Sequence, residues 1–244
     1  MNDSCRIFIN EKEIIMRNII ITGGDDGLGK TIAKLLSDNN IITISKTEEN
    51  AMRISKEIPS AECYACDITK PSEVDKTIKT IIKSQGDIDI LINNAGVLLA
   101  GDLTENSYEQ ISNCIDVNTK GPIYMIKAIL PNMYEQGKGL IINVCSQASF
   151  DSDDFFTVYN VSKWVMRGFN RSIQKDVSKK GIKVTGFYPE FMQTNIFKKT
   201  GNDYETSSGL EIEKVAKAIE FIINCDEDVI ISEFGVKDIE NYLN

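Results

Sequence analysis

The sequence contains no histidine among its 244 residues. Ser-His-Asp and Cys-His catalysis and every histidine-ligated metal site are therefore excluded. No run of about 18 consecutive apolar residues occurs, so no membrane-spanning helix is expected. Glu11, Lys12 and Glu13 interrupt the N-terminal stretch, which therefore lacks the apolar core of a signal peptide. We expect a cytoplasmic protein with no metal site and no membrane partner.

Basic residues are outnumbered, with 27 Lys and Arg against 36 Asp and Glu, a net charge of −9 and no basic cluster. Nucleic acid is a poor partner for such a surface. The six cysteines fall mostly in apolar runs, as is typical of buried, reduced thiols. Cys63 and Cys66 have the spacing of a redox pair or half a zinc site. Since no second thiol pair accompanies them, core packing is the favoured interpretation.

Short apolar runs alternate along the chain with segments of helical periodicity. The runs predict strands at 18–22, 41–45, 61–66, 87–92, 139–145, 182–188 and 229–232. The periodic segments predict helices at 30–38, 71–83, 103–117, 119–136, 157–179 and 211–224. This alternation favours one α/β domain with a parallel sheet. Because Met16 directly precedes the first strand, we expect this domain at residues 16–244 and an extension or a mis-assigned start at residues 1–15.

Tyr159 and Lys163 lie four residues apart in a segment predicted to be helical, so both side chains share one face. The lysine charge favours the phenolate, which suits the tyrosine hydroxyl to general acid-base work. Tyr134 and Lys138 repeat the spacing, but glycines break that helix. Ser146 stands thirteen residues before Tyr159, at the end of an apolar run. This Ser-Tyr-Lys set resembles the catalytic residues of the short-chain dehydrogenase/reductase family.

Two interpretations fit the glycine turn after the first strand. Read from residue 24, GDDGLGKT matches the phosphate loop of nucleoside triphosphatases, in which a lysine and a hydroxyl serve phosphate and magnesium. Read from residue 22, TGGDDGLG resembles the dinucleotide-binding turn of the dehydrogenase family. The second interpretation is favoured, because two aspartates would repel a triphosphate and because Asn93 follows the strand where a magnesium-binding aspartate would be needed.

The resemblance also includes NNAG at 93–96 and extends over about residues 17–235. It implies a Rossmann-type, doubly wound, seven-stranded parallel sheet of order 3-2-1-4-5-6-7 in a single domain. The catalytic residues that it implies are Asn118, Ser146, Tyr159 and Lys163. The cofactor-binding residues that it implies are Gly23, Asp26, Gly27, Leu28, Gly29, Ser45, Lys46, Asp67, Ile68, Asn94, Ala95, Gly96, Tyr159, Lys163, Pro189 and Thr194.

The implied activity is NAD(P)-dependent interconversion of a carbonyl compound and an alcohol, with Tyr159 exchanging the proton. Ser146 would hold the carbonyl oxygen, and Lys163 would bind the nicotinamide ribose. Asn118 would complete a water relay, although a capping asparagine is the structural alternative. A homodimer or homotetramer is implied, through the helices at 103–136 and 157–179.

The cofactor prediction depends on Ser45 and Lys46, at the place where NAD enzymes usually carry an acidic residue. Lys46 could pair with a 2′-phosphate, so NADP is favoured and NAD stays possible. Asp26 argues the other way, because NADP-dependent relatives often carry a basic residue there. Glu190 replaces the usual glycine after Pro189, which puts nicotinamide docking in doubt. Glu190 thus leaves a catalytically silent NADP(H)-sensing protein as one alternative. The glycine turn leaves a phosphate-loop triphosphatase as another.

The predicted substrate pocket is apolar, with acidic residues at its mouth and a mobile loop at 195–210 above it. Its apolar residues are Leu98, Leu99, Phe150, Phe155, Phe156, Phe191 and Met192, and the acidic ones are Asp151, Asp153 and Asp154.

Overall fold

A computed structural model of the chain describes residues 16–152, 154–197 and 207–243. The predicted N-terminal extension, Asp153 and the middle of the predicted 195–210 loop lie outside these residues. The strands are β1 (Asn18–Thr22), β2 (Asn40–Ser45), β3 (Glu62–Ala65), β4 (Ile90–Asn93), β5 (Gly139–Val144), β6 (Ile182–Pro189) and β7 (Glu233–Val236). The helices are α1 (Gly27–Leu35), α2 (Glu48–Glu57), α3 (Pro71–Gln85), α4 (Tyr108–Ile115), α5 (Gly121–Gln136), α6 (Thr157–Val177) and α7 (Ile212–Ile223).

The strands form a parallel sheet of order β3-β2-β1-β4-β5-β6-β7. Isoleucine-rich runs form it because both of its faces are covered. Ile19 and Ile21 belong to a core with α1 and α7, whereas Ile20 belongs to a second core with α3 and α5. Successive side chains of a strand point to opposite faces, so one apolar run serves both cores. The prediction of a doubly wound seven-stranded sheet is confirmed.

The last strand was predicted wrongly. The apolar run 229–232 is not a strand, and β7 follows it, with Glu233 opposite Gly186 of β6. Val229 and Ile230 are 43% and 45% exposed. The register with β6 fixes the strand, and apolar character alone does not show that register.

Two helix predictions also need correction. Helix α2 was not predicted, because Ala51 and Ile54 are its buried residues and the remainder is polar except for the exposed Met52. Helix α4 begins at Tyr108 rather than at 103, since Ser107 and Gln110 form a capping box there. Helices α4 and α5 are joined without a break by a π-helical turn, Asp116–Lys120, which contains Asn118.

The order of the strands reverses between β1 and β4, which start crossovers to opposite sides of the sheet. Ligands of open α/β sheets bind at the carboxyl ends of the strands beside such a reversal. The ends of β1, β4, β5 and β6 therefore define the expected site. No helix in the described part of the chain is long and apolar enough to cross a bilayer.

Candidate active site

A cleft of about 660 Å³ follows the carboxyl edge of the sheet. Most of the predicted site residues line it: Gly23, Asp26, Gly27, Leu28, Lys46, Asp67, Ile68, Asn94, Ala95, Gly96, Ser146, Tyr159, Lys163, Pro189 and Thr194. Gly29, Ser45 and Asn118 are buried behind these residues. The fold therefore brings the predicted catalytic and cofactor-binding positions to one cavity.

The glycine turn that lines the cleft leaves no room for side chains at Gly23 and Gly29. A Cβ atom on Gly29 would lie 2.2 Å from the carbonyl oxygen of Gly23, and Gly23 itself has a φ of +66°. Asp26 is the N-cap of α1, and its Oδ1 accepts a hydrogen bond from the Gly27 amide at 2.8 Å. The turn thus presents backbone at a helix N-terminus, the arrangement that binds pyrophosphate in dinucleotide folds.

Lys30 and Thr31 make bonds that a phosphate loop would not use. Lys30 Nζ lies 3.2 Å from Glu57 Oε2, and Thr31 Oγ1 donates to the Gly27 carbonyl oxygen at 3.2 Å. Neither residue lines the cleft. These contacts favour the dinucleotide interpretation of the turn.

The NNAG segment ties the end of β4 to the end of β1. Asn94 Nδ2 donates to the Thr22 and Gly23 carbonyl oxygens at 3.1 and 3.2 Å. Thr22 Oγ1 in turn accepts from the amides of Asn94 and Ala95, each at 3.1 Å. These bonds fix the glycine turn against Ala95 and Gly96, which line the cleft.

Tyr159 and Lys163 lie one turn apart at the start of α6, as the spacing predicted. Lys163 is 7% exposed, and its Nζ donates to the Val144 carbonyl oxygen at 3.2 Å and lies 5.6 Å from the centre of the Tyr159 ring. A buried ammonium group needs such partners. The bond to the end of β5 therefore holds the lysine beside the tyrosine.

Ser146 follows β5 directly and caps a short 3₁₀ turn, Gln147–Ser149. Its Oγ accepts a hydrogen bond from the Ala148 amide at 3.1 Å. A hydroxyl that accepts one bond keeps its proton to donate. Ser146 can thus donate toward a substrate oxygen in the cleft that it shares with Tyr159.

Asn118 is 2% exposed, and its side chain is fully engaged by the protein. Its Oδ1 accepts from the Val97 amide and its Nδ2 donates to the Val97 carbonyl oxygen, both at 2.8 Å. Nδ2 also lies 3.1 Å from Ser162 Oγ on α6. Asn118 therefore joins the loop after NNAG to the helix that carries Tyr159.

Comparison with known proteins agrees with this geometry. The family model described as short chain dehydrogenase matches residues 17–205. The chain belongs to the short-chain dehydrogenase family. An uncharacterised oxidoreductase of Staphylococcus aureus strain MRSA252 is 30% identical over 224 residues, which cover 90% of this chain and 96% of the relative. Another, from Staphylococcus epidermidis strain RP62A, is 29% identical over 223 residues with the same coverage.

Solved structures of the family superpose closely on the chain. The closed form of serine dehydrogenase complexed with NADP+ has a TM-score of 0.84 and 25% identity, covering 91% of this chain and 95% of that one. ElxO with NADP bound has a TM-score of 0.82 and 26% identity, covering 91% and 97%. The fold and the oxidoreductase class are thereby supported together.

The short-chain dehydrogenase site has a mixed charge at the end of β2. Ser45 is 1% exposed, whereas Lys46 is exposed and lines the cleft. Burial opposes ionisation of Asp67, which follows the neighbouring strand β3, but hydrogen bonds from the Thr69 amide and hydroxyl, at 3.0 and 2.7 Å, together with nearby lysine charges, lower the pKa of Asp67. Lys46 adds to that lowering, so the two residues are electrostatically coupled.

Glu190, the departure from the family pattern, has a structural role in this chain. Its amide donates to the Val236 carbonyl oxygen at 2.9 Å, and its Oε2 accepts from the Asp238 amide at 2.9 Å. The carboxylate therefore fastens the C-terminal segment to the end of β6. Thr194 lies back over the glycine turn, with its Cγ2 3.8 Å from the place a Gly27 Cβ would occupy.

Several residues of the cleft were not predicted. Asn50 lines it from the unpredicted helix α2, and Asn113, Gln147, Phe197 and Lys237 line it from other segments. Gln147 directly follows Ser146, so proximity in sequence could have suggested it. The contribution of Lys237 follows from the position of β7, which was predicted wrongly.

Proposed function

We propose that the protein is an NAD(P)-dependent oxidoreductase that interconverts a carbonyl compound and a primary or secondary alcohol. The observation that carries the proposal is the Lys163 ammonium group, held 5.6 Å from the Tyr159 ring in the cleft that Ser146 also lines. Such a tyrosine can exchange a proton with a substrate oxygen.

In the direction of reduction, Tyr159 gives its hydroxyl proton to the carbonyl oxygen, which becomes the alcohol. Ser146 donates a hydrogen bond to the same oxygen and stabilises the negative charge that develops on it. The positive charge of Lys163 stabilises the negative charge left on the Tyr159 oxygen as this proton leaves. A bound nicotinamide cofactor would supply the hydride that the carbonyl carbon gains. A water relay through Asn118 would use its backbone carbonyl, because its side chain is engaged by Val97 and Ser162.

The residues present fit a dinucleotide. The glycine turn would receive the pyrophosphate, since Gly29 has no room for a Cβ atom. Asp67 and Ile68 would border the adenine, and Lys163 would bind the nicotinamide ribose. Thr194 would meet the carboxamide. NADP is preferred over NAD because Lys46 is exposed at the end of β2, and the structural neighbours described above contain NADP.

The alternatives have less support. The bonds of Lys30 to Glu57 and of Thr31 to Gly27 argue against the triphosphatase hypothesis. The residue that favours a silent NADP(H)-sensing protein is Glu190, but its carboxylate accepts a hydrogen bond from the Asp238 amide, which gives it a structural role. A sensor would bind NADPH tightly and turn nothing over.

The test combines nucleotide titration with one substitution. NADPH, NADH and Mg-ATP are titrated into purified protein, and carbonyl reduction is then measured for wild type, Tyr159→Phe and the matched control Tyr134→Phe. We expect NADPH to bind best, and we expect Tyr159→Phe to lose about 10²–10⁴-fold in kcat while the control keeps its activity. Binding of Mg-ATP alone, or full turnover by Tyr159→Phe, would overturn the proposal.

We also propose a homodimer or homotetramer. Val161, Trp164 and Val165 are each about half exposed on α6, an apolar surface that suits contact with a second copy. Sedimentation equilibrium would measure the assembly, and a monomer at all concentrations would contradict it.

A further inference from the structure

Three phenylalanine rings form one surface of the cleft. Phe156, Phe191 and Phe197 all line it, and each is half-buried. The ring centres of Phe191 and Phe197 are 4.9 Å apart at an interplanar angle of 71°, and those of Phe156 and Phe197 are 6.2 Å apart at 86°. Edge-to-face pairs of this kind are favourable aromatic contacts. We call this surface the phenylalanine wall.

The backbone beside the wall has an uncommon conformation. Phe155 is the non-glycine residue with a positive φ, 73°, in the described part of the chain. The Gly101 amide donates to its carbonyl oxygen at 2.9 Å and holds it there. Such conformations persist where the surrounding structure imposes them, and they cluster at ligand sites. Here the residue with this conformation is Phe155, which is 50% exposed. It directly precedes Phe156, which lines the cleft at the start of α6.

The cleft has further apolar lining besides the wall. Leu98, Met192 and Ile196 line the same cleft as Tyr159 and Ser146. The edge of an aromatic ring is positive and its face is negative, so further rings can join an existing edge-to-face cluster. An aliphatic group of equal size would gain the burial without that contact.

We propose that the substrate is an aryl carbonyl compound, or the corresponding benzylic alcohol, whose ring packs against Phe156, Phe191 and Phe197. The inference rests on the proposed function and names its substrate class. In reduction, the carbonyl oxygen gains the Tyr159 proton, and the carbonyl carbon would gain a hydride from a bound reduced nicotinamide cofactor, which would thereby be oxidised. The ring takes no part in the chemistry and serves recognition.

The test compares benzaldehyde with cyclohexanecarbaldehyde, which has the same carbon skeleton without the π system. The ratio of their kcat/KM values is measured for wild type, Phe191→Leu and Phe197→Leu. The two aldehydes differ in intrinsic reactivity, but that difference is the same for every variant. A change in the ratio between variants therefore reports a change in recognition of the aromatic ring. We expect each substitution to lower the benzaldehyde preference about 2- to 10-fold, the size of one aromatic contact. Phe221→Leu on α7, away from the cleft, is the control.

A second readout uses wild type alone, so it does not depend on how the variants fold. Benzyl alcohol should inhibit reduction more strongly than cyclohexylmethanol does. An unchanged ratio in folded variants, equal inhibition by the two alcohols, or turnover of aliphatic carbonyls with no turnover of benzaldehyde would each overturn the aryl substrate class. Absence of NADPH and NADH binding would instead overturn the proposed function.

Discussion

Ser45 and Lys46 bear on the choice of nicotinamide cofactor at the scale of single residues. The residue at the end of β2 is the buried Ser45. NAD enzymes usually have a carboxylate at this place, which accepts hydrogen bonds from the ribose hydroxyl groups. Lys46 is exposed in the cleft and lowers the pKa of Asp67, although less than Thr69 does. An exposed ammonium group in this position suits a phosphate more than a hydroxyl.

Substituting Lys46 by methionine keeps the length of the side chain and removes its charge. We expect the Kd for NADPH to rise about tenfold while the Kd for NADH changes little, because a charge-assisted bond to the 2′-phosphate is lost. Fluorescence titration of both nucleotides measures this, with Lys127→Met on the exposed side of α5 as control. If both nucleotides weakened equally, Lys46 would not be the phosphate partner.

Among the elements, α6, β7 and the turn after Ser146 are joined through Phe150. The guanidinium carbon of Arg167 lies 3.8 Å from the centre of the Phe150 ring, and Arg167 Nε lies 3.3 Å from Glu233 Oε1. The centres of the Phe150 and Tyr188 rings are 4.8 Å apart in an edge-to-face arrangement. Phe150 is thus held between α6 and the sheet, which supports the turn that Ser146 caps.

Arg167→Lys keeps the positive charge and removes the planar group that stacks on Phe150. We expect kcat/KM to fall about 3- to 10-fold and the Tm to decrease, since a stacked cation contributes about 0.5–2 kcal/mol. Arg171→Lys is a matched control, because Arg171 binds the same Glu233 carboxylate and, in the described part of the chain, stacks on no ring. An equal loss of activity in both variants would assign the effect to the ion pair instead.

The predictability of the elements differs for physical reasons. The Tyr159–Lys163 pair followed from its spacing, because a helix fixes the positions of residues four apart. Helix α2 buries little beyond Ala51 and Ile54, so its sequence is mostly polar and contains few apolar residues from which a helix could be predicted. The position of β7 depends on the bond from the Gly186 amide to the Ser232 carbonyl oxygen and on the pairing of Glu233. Such pairing is a long-range property that local apolar character does not encode.

For the whole molecule, the alternation of strands and helices predicted one α/β domain with a parallel sheet, and the family resemblance supplied the strand order that places the cleft at the carboxyl edge. The parallel order collects the glycine turn, NNAG and Ser146 at that edge. The shape of the cleft was less predictable, because Asn50 and Lys237 reach it from α2 and from the end of β7. Their positions depend on packing between segments that are distant in sequence.

Burial of the Cys145 thiol links the stability of the whole fold to alkaline pH. Cys145 is 4% exposed, and burial raises its pKa from 9.0 to about 11. The unfolded chain, whose thiol keeps its ordinary pKa, releases this proton at a lower pH than the folded protein does. The stability that the protonated Cys145 thiol gives the folded protein is therefore fully present below about pH 9 and is lost as the pH rises toward 11.

Cys145→Ser tests this link, because a serine hydroxyl does not titrate in this range and still accepts the hydrogen bond that Asn170 Nδ2 gives to the sulfur at 3.4 Å. The variant should be less stable than wild type near neutral pH, since the smaller hydroxyl fills the site less well. Only wild type has a thiol at position 145, and its unfolded chain releases the thiol proton at a lower pH than the folded protein does. Wild type should therefore lose its advantage in alkali, and the difference between the urea midpoints of wild type and Cys145→Ser should narrow from about pH 8 to about pH 10.5. Cys225→Ser, at a half-buried thiol, provides the control. If the difference between the urea midpoints of wild type and Cys145→Ser stayed constant with pH, other groups would govern the alkaline loss of stability. The buried Tyr188 hydroxyl is one such group, because burial raises its pKa as well.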